Sequence, residues 1–188
     1  MAEDKLDIKI VNIVVASSLE HDIPLEKMAA TLSNTEYNPE QFPGLVIRIK
    51  EPKTSALVFS SGKIVCTGAK TLDEVRKCID KIIQSLEKIN VKITVTPVIT
   101  IQNIVASGGI GMDLNLNSLA MKLDNTEYEP EQFPGLVYKV KITKNTDKPF
   151  NATFLLFSNG KIVCTGTKSE AQVQIAVRQL IENLKKVK

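Results

Sequence analysis

Apolar positions recur along this chain with two different periods, and each period names the element it forms. "IKIVNIVVAS" (residues 8–17) and "VITIQNIVAS" (98–107) are β-branched runs bounded by Ser or Gly, which predicts strands. "DIPLEKMAATL" (22–32) carries Pro24 at a first turn and sets Leu25, Met28, Ala29 and Leu32 on one face. The counterpart positions are Leu116, Leu119, Ala120 and Leu123, so both stretches predict short helices. "GLVIRIK", "SALVFS" and "KIVCTG" predict three more strands, with "SSG" and later "SNG" as tight turns. Thr71 with Glu74 and Ser169 with Gln172 fit capping boxes that open long helices. Behind them Leu72, Val75, Ile79, Ile82, Ile83, Leu86 and Ile89 form one apolar stripe, matched by Val173, Val177, Leu180, Ile181 and Leu184.

These elements occur twice. At an offset of 91, "NIVVAS" from Asn12 returns as "NIVASG" from Asn103, and "NTEYNPEQFPGLV" from Asn34 as "NTEYEPEQFPGLV" from Asn125. At an offset of 98, "FSSGKIVCTG" (59–68) returns as "FSNGKIVCTG" (157–166). Self-similarity of this kind predicts two homologous halves, 1–91 and 92–188, split near "INVKITVTP". The jump of seven places an insertion in the polar "KITKNTDKPFNATF", near residues 144–151, where a lengthened hairpin tip is expected. The expected fold class is α+β, with an antiparallel sheet covered by helices on one face.

One-sided covering conflicts with the strand pattern. Ala56, Val58, Ile64 and Cys66 take one face, and Leu57, Phe59, Val65 and Thr67 take the other. Both faces are apolar, although a sheet with helices on one side should be polar on the opposite side. The bare face would expose Val14, Leu57, Phe59 and Val65 in the first half, and Val105, Leu155, Phe157 and Val163 in the second. A contiguous patch of that kind marks an interaction surface. Asn12, Asn103, Thr67, Thr165, Arg48 and Lys139 share or border it. Apolar ground with amides, hydroxyls and flanking cations suits a DNA minor groove, whose floor at A·T pairs offers only acceptors.

Charge adds little to that reading. The net charge is +3, divided as −1 over residues 1–91 (12 basic, 13 acidic) and +4 over 92–188 (12 basic, 8 acidic). Binding driven by bulk electrostatics usually needs more, so shape and burial have to contribute. No apolar run approaches the ~18 residues of a membrane span, and "MAEDKLD" lacks a signal-peptide core, so a soluble intracellular protein is expected. Three cysteines, Cys66, Cys78 and Cys164, lack metal-ligand spacing and read as packed, reduced thiols. His21, the one histidine, lies in a loop before a helix, and no paired carboxylate or nucleophile recurs, which argues against an enzyme. "GGIGMD" at Gly108 reads as a turn, because no nucleotide-binding context surrounds it.

The paired "VNIV"/"QNIV", "EQFPGLV" and "F-S-S/N-G-K-I-V-C-T-G" resemble the TATA-binding protein family, general transcription factors that recognise promoter TATA boxes. The likeness covers essentially the whole chain and leans toward the archaeal branch of the family. It implies a saddle: a curved antiparallel sheet with its concave underside on DNA and helices on the convex face. The insertion near residues 144–151 departs from the family pattern.

By the same resemblance the intercalating phenylalanines are Phe42 and Phe59 in the first half and Phe133 and Phe157 in the second. Asn12 and Asn103 would donate to base acceptors, flanked by Val14 and Val105. Thr67 and Thr165 match hydroxyl positions, and Leu57, Val65, Leu155 and Val163 the apolar floor. Arg48, Lys63, Lys70, Lys139, Lys161 and Lys168 match phosphate-contacting cations. Glu129, Glu131 and Gln132 match the loop that docks transcription factor B, with a solvated acidic loop as the other reading.

The partners implied are promoter DNA, transcription factor B and RNA polymerase, with no cofactor, metal or membrane. Self-association through the apolar underside is the alternative when DNA is absent. The location implied is the cytoplasm and nucleoid of an archaeal-type cell, or the nucleus of a eukaryotic one. Two other classes stay open on the residues alone: a carrier of an apolar ligand and a protein-interaction module.

Overall fold

Alternating β-branched runs become strands where the pattern asks for them. The computed structural model describes residues 6–187; residues 1–5, most of the acidic start, and residue 188 lie outside the described residues. Contacts divide the chain into two compact units, residues 12–102 and residues 6–11 together with 103–187. We retain 1–91 and 92–188 as the proposed repeat boundaries.

The first unit contains β1 (Asp7–Ser18) from Asn12 onward, α1 (Leu25–Thr31), β2 (Thr35–Glu36), β3 (Leu45–Ile49), β4 (Thr54–Val58), β5 (Lys63–Ala69) and α2 (Leu72–Glu87). Its strands pair antiparallel in the order β2-β3-β4-β5-β1. The second unit repeats this with β6 (Thr100–Gly109) from Asn103 onward, α3 (Leu116–Lys122), β7 (Thr126–Glu127), β8 (Leu136–Ile142), β9 (Phe150–Leu156), β10 (Lys161–Thr167) and α4 (Glu170–Lys186). The order there is β7-β8-β9-β10-β6, again antiparallel.

Each long helix covers one face of its sheet. Ile47, Ala56, Val58, Ile64 and Cys66 are all but inaccessible, as are Val75, Cys78, Ile82 and Leu86 of α2. The capping boxes form as read: Thr71 accepts from the Glu74 N–H while Glu74 accepts from the Lys70 N–H. Ser169 and Gln172 do the same for α4, with Lys168 as the donor. Satisfying these amides from both directions is what starts each helix where it starts.

The structure differs from the sequence reading in three places. Leu72, expected in the buried stripe, is 41% exposed, because it is the first residue of α2 and lies off the face that meets the sheet. Val98 and Ile99 precede β6, and Val98 stands 77% exposed. The two-residue edge strands β2 and β7 have no run of β-formers to announce them.

The insertion is a longer hairpin. β8 and β9 have seven residues each where β3 and β4 have five. The intervening loop, 143–149 against 50–53, takes up the rest. The fold class is α+β with two tandem repeats, as expected.

Candidate nucleic-acid interface

The face of each sheet turned away from its long helix carries a row of side chains that only its own neighbours shield. In the first unit Glu36 pairs with Val46, Val46 with Leu57, Leu57 with Val65, and Val65 with Ala16, so one line crosses all five strands. In the second the line is Glu127, Val137, Leu155, Val163 and Ser107. From the valine inward every member is half-buried. A second row holds Arg48, Ser55 and Thr67, matched by Lys139, Thr153 and Thr165. Val46, Val137, Ser55 and Thr153 belong to this surface and were not singled out in the sequence. Their signal was available, since they share strand parity with Leu57 and Leu155 through the pairing register.

Phe42 precedes β3 and Phe59 follows β4 at the same edge of the first sheet, as Phe133 and Phe157 do around β8 and β9 in the second. The Phe42 and Phe59 ring centroids are 5.9 Å apart at 65°, and those of Phe133 and Phe157 are 5.9 Å apart at 68°, both edge-to-face. Phe42 is 43% exposed and Phe133 41%. Neither loop is loose: the Phe42 N–H donates to the Asn38 carbonyl and the Phe133 N–H to the Glu129 carbonyl, each at 3.0 Å. Phe59 and Phe157 are fixed by the turns they open, donating N–H to the carbonyls of Lys63 and Lys161.

The glycine of "FPG" is what lets the rings meet. A Cβ on Gly44 would lie 2.7 Å from Phe42 Cε1 and 3.1 Å from Phe59 Cε1, and one on Gly135 would lie 2.6 Å and 3.1 Å from the matching atoms. Each Pro-Gly bend thus holds an exposed phenylalanine against a half-buried one, with no side chain beneath the rings to keep them apart.

The asparagines are held by β-bulges. Between Ile13, which pairs with Ala69, and Val15, which pairs with Cys66, one residue of β1 faces two of β5. Gly68, at φ 94°, takes the left-handed conformation this bulge needs. Its N–H donates to Asn12 Oδ1 at 2.7 Å, and Asn12 Nδ2 lies 3.2 Å from Thr67 Oγ1 as donor. β10 bulges against β6 in the same way, with Gly166 at φ 91°. Gly166 N–H donates to Asn103 Oδ1 at 2.8 Å, and Asn103 Nδ2 donates to Thr165 Oγ1 at 2.9 Å. A backbone N–H can only donate, so the bulge fixes which amide atom is oxygen. Each NH2 keeps a second hydrogen to offer to an acceptor on this face.

The edge cations already have partners. Arg48 Nη1 lies 3.0 Å from Glu36 Oε2 and Lys139 Nζ 2.8 Å from Glu127 Oε1. Any anion binding at these positions would have to displace a carboxylate, a feature hidden in the sequence because β2 and β7 have no run of β-formers. Both pairs are well exposed, so displacement costs little. Lys63, Lys70, Lys161 and Lys168 are exposed near the "SSG"/"SNG" turns and the helix starts. Val14 and Val105 are half-buried and sit at the two bulges. Glu129, Glu131 and Gln132 are exposed on the turn that carries Phe133.

The remaining chemistry-bearing residues do not assemble. His21 Nδ1 contacts the Asp22 carbonyl at 2.7 Å in an exposed loop. "GGIGMD" ends β6 and turns at Gly111, tied by Ile110 and Leu114 N–H bonds to the carbonyls of Gly160 and Ser158. Among the described residues no three His, Cys, Asp or Glu side chains gather as a metal site, and no helix is long and apolar enough to cross a membrane. All three cysteines are buried free thiols.

Comparison with known proteins places these features in a family. The profile described as "Transcription factor TFIID (or TATA-binding protein, TBP)" matches residues 7–89 and again 98–187. Among similar proteins, the TATA-box-binding protein of Picrophilus torridus is 49% identical over 182 residues, 96% of this chain and 95% of that one. The TATA-box-binding protein of Thermococcus kodakarensis is 48% identical over 179 residues, 95% of this chain and 90% of that one. The solved structure of Methanococcus jannaschii TBP superposes with a TM-score of 0.84 at 44% identity, covering 95% of this chain and 98% of that one. With half-identical archaeal relatives along nearly its whole length and both repeats matched, the chain belongs to the TATA-binding protein family.

Proposed function

We propose that this protein binds a T/A-rich promoter duplex through the minor groove, bends it by wedging Phe42 with Phe59 and Phe133 with Phe157 into base steps, and offers the bent complex to transcription factor B and RNA polymerase. The observation that carries this reading is the same in each unit: a half-buried apolar row beside a phenylalanine pair whose loop member is exposed, with an asparagine clamped by a bulge of the same sheet.

Energies decide how such a surface selects its site. Unstacking a step costs a few kcal/mol and bending adds several more. Covering apolar area offsets this at roughly 25 cal/mol per Å², and counterion release contributes the rest. Pyrimidine-purine steps such as TA deform most cheaply, so T/A preference follows largely from deformability. The Asn12 and Asn103 donors add discrimination, because a guanine amino group would meet them with a donor where A·T pairs offer acceptors. The two repeats present nearly the same surface, so direction along the promoter has to come from a second factor. Asn38 in the first wedge loop against Glu129 in the second is the difference that factor would read, with Glu131 and Gln132 beside it.

The test is an electrophoretic shift with a TATA-containing duplex across a salt series, with and without transcription factor B. A shift that weakens as salt rises, and a larger complex that disappears in Glu129→Arg, are expected. No shift at any salt concentration would favour a carrier of an apolar ligand and overturn the reading.

A further inference from the structure

Both sulfurs of the first repeat's buried cysteine pair lie on one line between strand and helix. Cys66 projects from β5 toward α2 and Cys78 from α2 toward β5, and the Cys66 thiol donates to Cys78 Sγ at 2.7 Å. Both residues are 0% exposed. We propose that Cys66 and Cys78 are an oxidisable dithiol, which a peroxide converts to a disulfide that ties α2 to β5.

The geometry leaves little to move. A disulfide sets its sulfurs about 2.05 Å apart. The two thiols already approach more closely than unbonded sulfurs ordinarily do, from elements that share one core. The second repeat is an internal contrast: Cys164 stands in the same place on β10, but the equivalent helix position is Ala176, also fully buried. Packing is thus met there by one thiol and a methyl group, so the core does not require two cysteines. A metal is a poorer occupant, since no third ligand joins the pair among the described residues.

Reactivity divides unequally between the two. Cys78 accepts a hydrogen bond from Cys66, which lowers its pKa, whereas Cys66, acting as the donor and buried, is pushed up. Cys78 is therefore the nucleophile. Its thiolate attacks one oxygen of hydrogen peroxide, breaking the O–O bond to give a sulfenic acid and water once the leaving hydroxide takes the thiol proton. Cys66 then attacks the sulfenic sulfur, the S–S bond forms and a second water leaves. Two thiols are oxidised and one peroxide is reduced. A peroxide is close to water in size and can reach a closed core during small openings, whereas a glutathione-sized disulfide would need α2 to lift away.

The consequence falls on the DNA-facing side as well. Val65 and Thr67 flank Cys66 on β5 and point to the opposite face, so the link would brace the strand that carries part of the apolar floor.

The experiment treats the full chain with hydrogen peroxide and, separately, with a reducing thiol, then counts thiols after denaturation and measures mass and Tm. The expected result is a fall from three titratable thiols to one, a loss of two hydrogens in mass and a peptide linking Cys66 to Cys78. Closing a loop of this size should raise Tm by roughly 6–12 °C. Cys164→Ala should form the same link and show the same rise in Tm on oxidation as the wild type, and Cys78→Ala, which copies the second repeat, should fold and show no such rise. Three surviving thiols, a link through Cys164, or oxygen added to Cys66 or Cys78 without a crosslink would each overturn the proposal.

Discussion

Replacing Phe42 with alanine separates the wedge from the fold that carries it. Phe42 is 43% exposed in the free protein. A phenylalanine side chain presents on the order of 200 Å², so about 85 Å² of this ring is left in water until something covers it. At about 25 cal/mol per Å², covering that area contributes about 2 kcal/mol, and its loss should weaken DNA binding about 30-fold. Stacking of an aromatic on a base is worth about 1–3 kcal/mol by the same kind of substitution, which brackets the figure. The fold loses the roughly 115 Å² of ring already buried and the edge-to-face contact with Phe59, together on the order of 3–4 kcal/mol, for a Tm fall of roughly 6–16 °C. Fluorescence anisotropy on a TATA duplex gives Kd, end-labelled DNA gives the bend by energy transfer, and calorimetry gives Tm. Met121→Ala is the control, since Met121 is 84% exposed on α3 and should leave affinity unchanged. If Phe42→Ala binds within threefold of the wild type with the same bend, DNA does not cover that ring.

Further outcomes follow from the clamps, the edge pairs and the core. Asn12→Asp keeps the acceptor for Gly68 but turns the outward donor into a second oxygen, so affinity should drop more than tenfold with little change in Tm; unchanged affinity would take Asn12 out of the groove. Glu36→Gln releases Arg48, so affinity should rise about 2–5-fold and the log–log salt slope should steepen by about 0.9; an unaltered slope would mean that Arg48 does not reach a phosphate. Burial pushes the Cys164 thiol up to about 12, above its ordinary value of 9.0. The folded state therefore keeps a proton that the unfolded chain sheds, so this stability is whole below pH 9 and is lost as pH climbs toward 12. The loss amounts to about 4 kcal/mol across that window, and the stability gap between wild type and Cys164→Ala should narrow or reverse as pH rises from 8 to 10.5. A gap that stays constant with pH would place the thiol in contact with water.

Much of the interface was legible because strand parity and repetition reinforce each other. Leu57, Val65, Leu155 and Val163 could be assigned to one face from alternation alone, and finding each pattern twice removed most ambiguity of register. The capping boxes were legible for a similar reason, since Thr71 with Glu74 and Ser169 with Gln172 are local chemistry. What escaped depends on contacts between distant residues. Glu36 joins the surface only because two residues of β2 happen to pair with β3, and nothing within "NTEY" encodes that. The orientation of the Asn12 amide needs a bulge 56 residues away in sequence. Leu72 was misassigned because helical phase alone cannot say where the covering sheet begins.

Groove choice is the most direct measure of how the uncovered sheet faces work. Replacing T·A pairs of the TATA site with C·I pairs alters the major groove and leaves minor-groove acceptors like those of A·T, whereas C·G pairs add an amino group to the minor groove. Binding to the C·I duplex should stay within a few fold of the natural site while binding to the C·G duplex falls steeply. A C·I duplex bound as poorly as the C·G one would contradict minor-groove recognition by these sheets.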